Sequence, residues 1–216
     1  MNFSPPSKQR TEYLETAAAA YQKQLAGSPG AEYLKTRGLT QDSVQYFRLG
    51  YVGNPQSGHE RYTGRLAIPY LNRQGVIAIR YRCIQEHDCK AIEGHSKYTR
   101  EPGDEAKVYN ILALTAPTDR MAVCEGEIDT MTAWQCGIPV IGSAGAKAWK
   151  PIFNRLIRGY QRVVNLADGD DAGLALADAI AEKNDQAVTR QFPTGSDVNK
   201  YYLDYGKEAL LEYAGF

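Results

Sequence analysis

"RVVNLADGDDAGLALADAI", residues 162–180, decides how the rest of the chain is read. It opens with the apolar run of a buried strand, passes through Asp168, Gly169, Asp170 and Asp171, and closes in an alanine-rich stretch of helical character. Three carboxylates therefore stand where a strand hands over to a helix. The same order recurs through the C-terminal half: "MAVCEGE" then "DTMTAWQCG", "IPVIGSA" then "AKAWKPIFNRLI", "RVVNLAD" then "AGLALADAIAEKN", and "AVTRQF" then "NKYYLDYGKEALLEYA". This alternation predicts an α/β fold, a parallel sheet with helices on its faces. Ligands of such sheets bind beyond the carboxyl ends of the strands, so polar residues placed there gain weight as functional groups. Acids collect at three of the four ends: Glu125, Glu127 and Asp129 after the first strand, Asp168, Asp170 and Asp171 after the third, Asp197 with Asn199 after the fourth.

Carboxylates held close together repel one another, and some take up a proton at neutral pH unless a cation neutralises them. Mg²⁺ suits such a cradle, because it takes a few carboxylate oxygens and leaves its other positions to water or phosphate. The competing explanation is helix capping, since an acid at or near a helix N-terminus stabilises it by about 0.3 to 2 kcal/mol. Taken singly, Asp171, Glu127 and Asp129 are explained as well by capping as by chemistry. Glu125, Asp168 and Asp170 together are not. Gly126 and Gly169 beside them are expected to let the backbone turn sharply enough for the acids to face one site.

The N-terminal half is built differently. "KQRTEYLETAAAAYQKQL" (8–25) reads as a helix ended by "AGSPG", "AEYLKTRG" as a second helix stopping at Gly38, and "TQDSVQYF" as a third with Thr40 as N-cap. "RLAIPYLNRQGVIAIRYRCI" reads as paired strands about the turn "NRQG", followed by a polar loop to about Tyr98. The expected boundary divides the chain into residues 1–118 and 119–216. Lys and Arg number 15 against 11 Asp and Glu in the first part and 10 against 14 in the second, so a net charge of zero hides two halves of opposite sign. The chain opens without a basic-then-apolar leader, and nowhere do about 18 apolar residues run together, so the expected location is cytoplasmic and no membrane association is expected.

"VCEGEIDTMTAWQCGIPVIGSAGAK", "VVNLADGDDAGLALADAI" and "GSDVNKYYLDYG" resemble, in order, the three signature segments of a TOPRIM domain, the metal-binding module shared by bacterial-type DNA primases, topoisomerases and some nucleases. The family pattern is a Glu after the first strand, Asp-x-Asp after the third and a further acid after the fourth. Upstream, "AEYLKTRGLTQDSVQYFRLGYV", "GRLAIPYLNRQGVIAIRYRCI" and "SKYTREPGDEAKVYN" resemble the segments that precede this module in primases, so the resemblance runs from about residue 31 to 213. It implies a Rossmann-like TOPRIM fold over 119–216, preceded by a smaller mixed α+β primase-type subdomain over 1–118. Asp197-Val198-Asn199 departs from the Asp-x-Asp of cellular primases and resembles the Asp-x-Asn of phage enzymes; Asn199 coordinates through a carbonyl oxygen and brings no charge. The zinc ribbon of cellular primases is not found ahead of the core, and a replicative helicase or a separate zinc module is expected to come from another chain.

The activity implied is DNA-templated synthesis of short RNA primers, in phage-type DNA replication within a bacterial host cytoplasm. Its partners would be single-stranded DNA, NTPs and the nascent primer. Asp168, Asp170 and Asp197, with Asn199, would hold Mg²⁺ or Mn²⁺, and Glu125 would serve as ligand or general acid/base. Arg65, Arg82 and Lys97 match primase basic positions, with Arg80, Arg100 and Lys107 as weaker candidates whose alternative is plain solvation. Tyr81 and Tyr98 lie among them and either stack on bases or belong to the core. A metal-dependent nuclease on the same module is the first alternative, and a non-catalytic nucleic-acid or receiver-like module the second. "GSAGAK" lacks the spacing of a phosphate loop and reads as a tight strand-to-helix turn. Cys83, His87, Cys89 and His95 are zinc-binding residue types in one loop, but without the usual Cys-x-x-Cys spacing. That weighs toward a polar insertion with reduced thiols.

Overall fold

Two four-stranded sheets organise the described residues, 7–89 and 91–216 of the computed structural model. One belongs to a unit made of the chain up to Thr36 together with Thr40–Asp104, the other to a unit made of Arg37–Leu39 with Glu105–Phe216. The division falls at Asp104/Glu105 rather than at 118/119. Tyr109 exchanges backbone hydrogen bonds with Gly142, and the Asn110 Nδ2 donates to the Val140 carbonyl, so this segment is paired with the second sheet.

In the first unit α1 (Lys8–Lys23) starts at Ser7, whose hydroxyl accepts from the Arg10 N–H, and buries Leu14, Ala17, Ala18 and Tyr21 at helical spacing. The helices α2 (Pro29–Thr36) and α3 (Gln41–Tyr46) follow, the latter capped by Thr40 as expected. Strands β1 (Gly50–Tyr51), β2 (Leu66–Asn72), β3 (Gly75–Arg82) and β4 (Tyr98–Arg100) pair antiparallel in chain order. The apolar stripe of α1 packs with Ala67, Val76, Ile79 and Tyr81 of the hairpin.

That core encloses a polar centre with no counterpart in the sequence reading. His59 is 1% exposed. Its Nδ1 lies 2.8 Å from the Tyr21 hydroxyl, which itself accepts from the Gln56 N–H, and its Nε2 lies 3.0 Å from Glu101, which also pairs with Arg10 at 2.7 Å. With the proton on Nε2, Tyr21 donates to Nδ1 and Nε2 donates to Glu101, and the Tyr81 hydroxyl lies 3.0 Å from the same Nδ1. Tyr62 stacks on Tyr81 at 3.8 Å, and both rings are buried. Tyr81 is thereby a core residue, unavailable to bases.

In the second unit the order is β5 (Arg120–Cys124), α4 (Glu127–Gln135), β6 (Val140–Gly142), α5 (Asn154–Ile157), β7 (Arg162–Ala167), α6 (Asp171–Ala181), β8 (Ala187–Gln191) and α7 (Val198–Ala214). The strands are parallel, in spatial order β6-β5-β7-β8. Alternation sorts their side chains to the two faces. Ala122, Cys124, Val164 and Leu166 meet Ala133, Val198 and Leu210, whereas Met121, Val123 and Val163 meet Phe153, Leu176 and Ile180.

Two expected helices are interrupted. "AKAWKPIFNRLI" forms two 3₁₀ turns and the single-turn α5, because Pro151 lacks an N–H and forces Lys150 to be extended. The last helix, α7, breaks its dihedrals at Gly206, at φ 86°. Among the described residues no helix is long and apolar enough to cross a membrane.

The His59 centre carries a pH dependence. Burial alone would raise the Glu101 carboxyl; hydrogen bonds from His59 and Arg10 overcome this and lower it to about 2. An acid lowered on folding adds stability above its unfolded value of about 4.3 and loses it as pH falls toward the folded one. Glu101→Ala should cost on the order of 2 kcal/mol at pH 7 and much less near pH 2, read from denaturant unfolding at both pH values.

Candidate metal centre at the sheet edge

The strand order creates the site. The chain leaves β5 toward β6 on one side and leaves β7 toward β8 on the other, so a crevice opens beyond the carboxyl ends of β5 and β7. Glu125 follows the last residue of β5 and Asp168 the last residue of β7, one on each side of it.

Asp168 is the most strongly perturbed acid there. Burial is the largest cause, followed by the charges of Asp129, Glu125, Asp197 and Asp170, and together they push its carboxyl up to about 9. Glu125 is raised as well, by burial first and then by Asp170, against one hydrogen bond from the Ala146 N–H. The Asp168 Oδ1 and the Glu125 Oε2 are buried with no hydrogen-bond partner. The Cys124 thiol, at the end of β5, is pushed well up, by burial and then by Asp129, Asp168 and Asp197. Three groups thus register the same negative field.

Capping and site-building coincide here. Asp170 is the N-cap of α6, accepting from the Gly173 N–H at 2.9 Å, and Asp197 is the N-cap of α7, accepting from the Lys200 N–H at 2.6 Å. Asp171 and Glu127 keep helix-start positions, the first exposed and the second buried. Asp129 is the acid that the sequence left evenly divided between capping and chemistry. It sits in the first turn of α4, its Oδ1 accepts from the Asn199 N–H at 3.1 Å, and it is the largest charge acting on Asp168. Asn199 has the reverse history. Its side chain is fully enclosed, and its Nδ2 donates to the Arg37 carbonyl and to Thr132 Oγ1, each at 2.8 Å, which fastens Arg37–Leu39 to this unit, while its Oδ1 is buried without a hydrogen-bond partner.

The glycines act by close approach rather than by turning. Neither Gly126 nor Gly169 has a positive φ. A Cβ on Gly169 would lie 2.0 Å from the Pro193 carbonyl oxygen, and one on Gly126 would lie 2.8 Å from Asp129 Oδ2. "GSAGAK" forms the tight turn expected, with Gly145 donating to the Glu125 carbonyl at 3.0 Å.

The basic candidates divide. Arg65 donates to the Ser96 carbonyl at 2.9 Å and is half-buried; Lys97 and Arg100 are exposed. Arg80 lies over the Tyr98 ring at 4.5 Å. Arg82 is only 7% exposed, donates to the Tyr98 hydroxyl, and lies over Tyr33 and Tyr98. Arg82 and Tyr98 therefore brace β3 and β4 rather than present an open phosphate or base site. Lys107 belongs to the second unit and donates to the Glu105 carbonyl at 3.3 Å. Cys83, His87, Cys89 and His95 come together, their ligand atoms all within 4.8 Å of one another. Among the described residues they are the group drawn closely enough to form a closed metal cage. The acids form an open set of oxygen donors with two unpartnered buried oxygens, which fits a hard divalent cation that retains water.

Residues 122–202 match the Toprim-like family model. The gene 57 protein of Mycobacterium phage D29 is 44% identical over 156 residues, which cover 70% of this chain and 98% of that protein. The DNA primase of Haemophilus influenzae is 24% identical over 242 aligned positions. The chain belongs to the family of the phage D29 gene 57 protein and carries a Toprim-like domain. That bacterial alignment covers 94% of this chain but 41% of the longer enzyme, so the chain spans about two fifths of the bacterial relative. The RNA polymerase domain of Mycobacterium tuberculosis primase DnaG, solved with double-stranded DNA, superposes with a TM-score of 0.76 at 22% identity, over 97% of this chain and 81% of that one. The primase-type fold thus extends through both units.

Two outcomes follow for this edge. Because the Asp168 carboxyl is raised on folding, native stability is greatest below its unfolded value of about 3.9 and declines as pH rises toward 9. Asp168→Asn should therefore raise the stability of the metal-free protein by about 1–3 kcal/mol at pH 8, measured by thermal unfolding. Gly169→Ala should destabilise by about 2 kcal/mol or more, whereas Gly159→Ala, with open space around it, should stay within about 0.5 kcal/mol.

Proposed function

We propose that the chain is the catalytic core of a DNA primase and makes short RNA primers on single-stranded DNA by metal-dependent nucleotidyl transfer. The observation that carries this reading is the pairing of Glu125 and Asp168 across the crevice, each with a buried oxygen that lacks a partner, in a chain of primase-type fold. In the reaction the 3′-hydroxyl of one nucleotide attacks the α-phosphorus of the next, the P–O bond to pyrophosphate breaks, and the hydroxyl proton is released.

Mg²⁺ or Mn²⁺ bound at these acids would lower the pKa of the attacking hydroxyl and stabilise charge on the phosphoryl oxygens. Asp168 and Glu125 would hold the ion directly, and Asp170 and Asp197, each with one oxygen committed to a helix cap, would turn the other toward it. Asp129 adds negative charge and is itself fixed by the Asn199 N–H. Glu125, whose carboxyl is raised by burial and by the charge of Asp170, is also suited to take and return a proton. Arg65, Arg80, Lys97 and Arg100 supply positive charge for phosphates of template, NTP and primer. The acidic second unit and the basic first unit then divide the chemistry between metal and polyanion.

Single-stranded DNA, labelled NTPs and Mg²⁺ or Mn²⁺ should yield short RNA products. Glu125→Gln and Asp168→Asn should each lower that yield at least about hundredfold, and Lys97→Ala should weaken template binding while reducing its salt slope by about 1. Shortened DNA in place of new RNA would overturn synthesis in favour of cleavage.

A further inference from the structure

The connection from β3 to β4, residues 83–97, has no helix or strand among its described residues. Its described residues from Gln85 to Lys97 are exposed, Ala91 and Ile92 among them, with three exceptions: His87, Cys89 and His95. The fourth inward group nearby is Cys83, buried at the exit of β3. A polar insertion would ordinarily turn its apolar side chains inward and leave histidines in water. Beyond the partly buried Ile84, the groups here that are shielded from solvent are the zinc-ligating ones.

Their geometry matches one ion. For Zn–S of about 2.3 Å and Zn–N of about 2.0 Å, the edges of a tetrahedral site measure about 3.3 to 3.8 Å. Cys83 Sγ lies 3.7 Å and Cys89 Sγ 3.4 Å from His87 Nε2, the two Nε2 atoms lie 3.1 Å apart, and all four ligand atoms fall within 4.8 Å of one another. His87 Nε2 therefore faces three soft or nitrogen donors at once. One hydrogen bond can satisfy only one of them; a cation among the four lone pairs satisfies all.

We propose that Cys83, His87, Cys89 and His95 bind one zinc ion as a closed structural site. Two thiolates and two neutral imidazoles balance its charge. Its ligands span the insertion, from Cys83 at the end of β3 to His95 just ahead of β4, so the metal supplies the core that the loop lacks. The loop also holds basic residues in place: the Cys83 N–H donates to the Lys97 carbonyl at 2.8 Å, and Arg65 donates to Ser96, the neighbour of His95. Zinc would thus set the positions of Arg65 and Lys97. The proposal is independent of the activity assigned above, because its readout is metal content and spectrum rather than primer synthesis.

The chain is purified under reducing conditions, dialysed with zinc in excess Mg²⁺ to occupy the acidic edge, and analysed for bound metal; a second sample is loaded with Co²⁺. About one tightly held zinc per chain is expected, together with visible bands of tetrahedral cobalt and near-ultraviolet thiolate charge transfer. Asp168→Asn should leave both unchanged. Outer-sphere partners alone change metal affinity by about 10–100-fold, so Cys89→Ser and His95→Ala should each weaken zinc retention more than tenfold while far-ultraviolet circular dichroism stays that of the parent. The proposal is overturned if zinc does not bind to the reduced parent chain, if cobalt shows only octahedral bands, or if the parent isolated without reductant carries a Cys83–Cys89 disulfide and stays metal-free after reduction.

Discussion

Holding several carboxylates at one edge of a parallel sheet is the constraint on which the second unit is built. Burial and mutual repulsion raise Asp168 to about 9, an unfavourable arrangement for a protein selected only for stability. The surrounding structure is organised to keep it. Helices α6 and α7 begin beside the crevice, so their N–H groups and dipoles offset part of the negative charge, with Asp170 and Asp197 as the caps. Gly169 allows the Pro193 backbone to approach within a distance that a Cβ would forbid, and Gly126 leaves room for the Asp129 carboxylate. Asn199, enclosed behind the edge, fixes Asp129 through its N–H and fastens Arg37 through its amide.

Two buried polar clusters, one in each unit, are satisfied to different degrees, and the contrast bears on what each is for. In the first, His59 is almost wholly buried, yet Tyr21, Glu101 and Arg10 complete its hydrogen bonds, so the centre adds stability and rigidity. In the second, Asp168 Oδ1 and Glu125 Oε2 are left without partners. A satisfied network explains itself; an unsatisfied acidic pair points to a ligand. The insertion between β3 and β4 resembles the second case, with soft donors converging where hydrogen bonds cannot satisfy them all.

Much of this was legible in the residue order. The strand–helix alternation, the acids after strands and the hairpin around "NRQG" follow from periodicity and turn chemistry, which act over a few residues and leave local marks. Thr40 as a cap was readable for the same reason. Pro151 was equally visible, and reading "AKAWKPIFNRLI" as one helix gave its apolar periodicity more weight than the proline that breaks it.

What the chain order could not settle was which distant groups meet. Asp129 and Asn199 each looked like an ordinary helix-start or ligand residue, and only packing decided that the first acts on Asp168 while the second is enclosed. Arg82 and Tyr81 have the composition of a nucleic-acid surface, but strand register turns them into packed neighbours of Tyr98 and Tyr62. His59 gave no signal because its partners lie 38 and 42 positions away. By itself the sequence determined the elements, the acids and their strand ends, since these depend on local propensity and alternation. The tertiary structure decided the strand order, and with it the crevice, the burial and the shifted acidity, because those are properties of groups brought together across space.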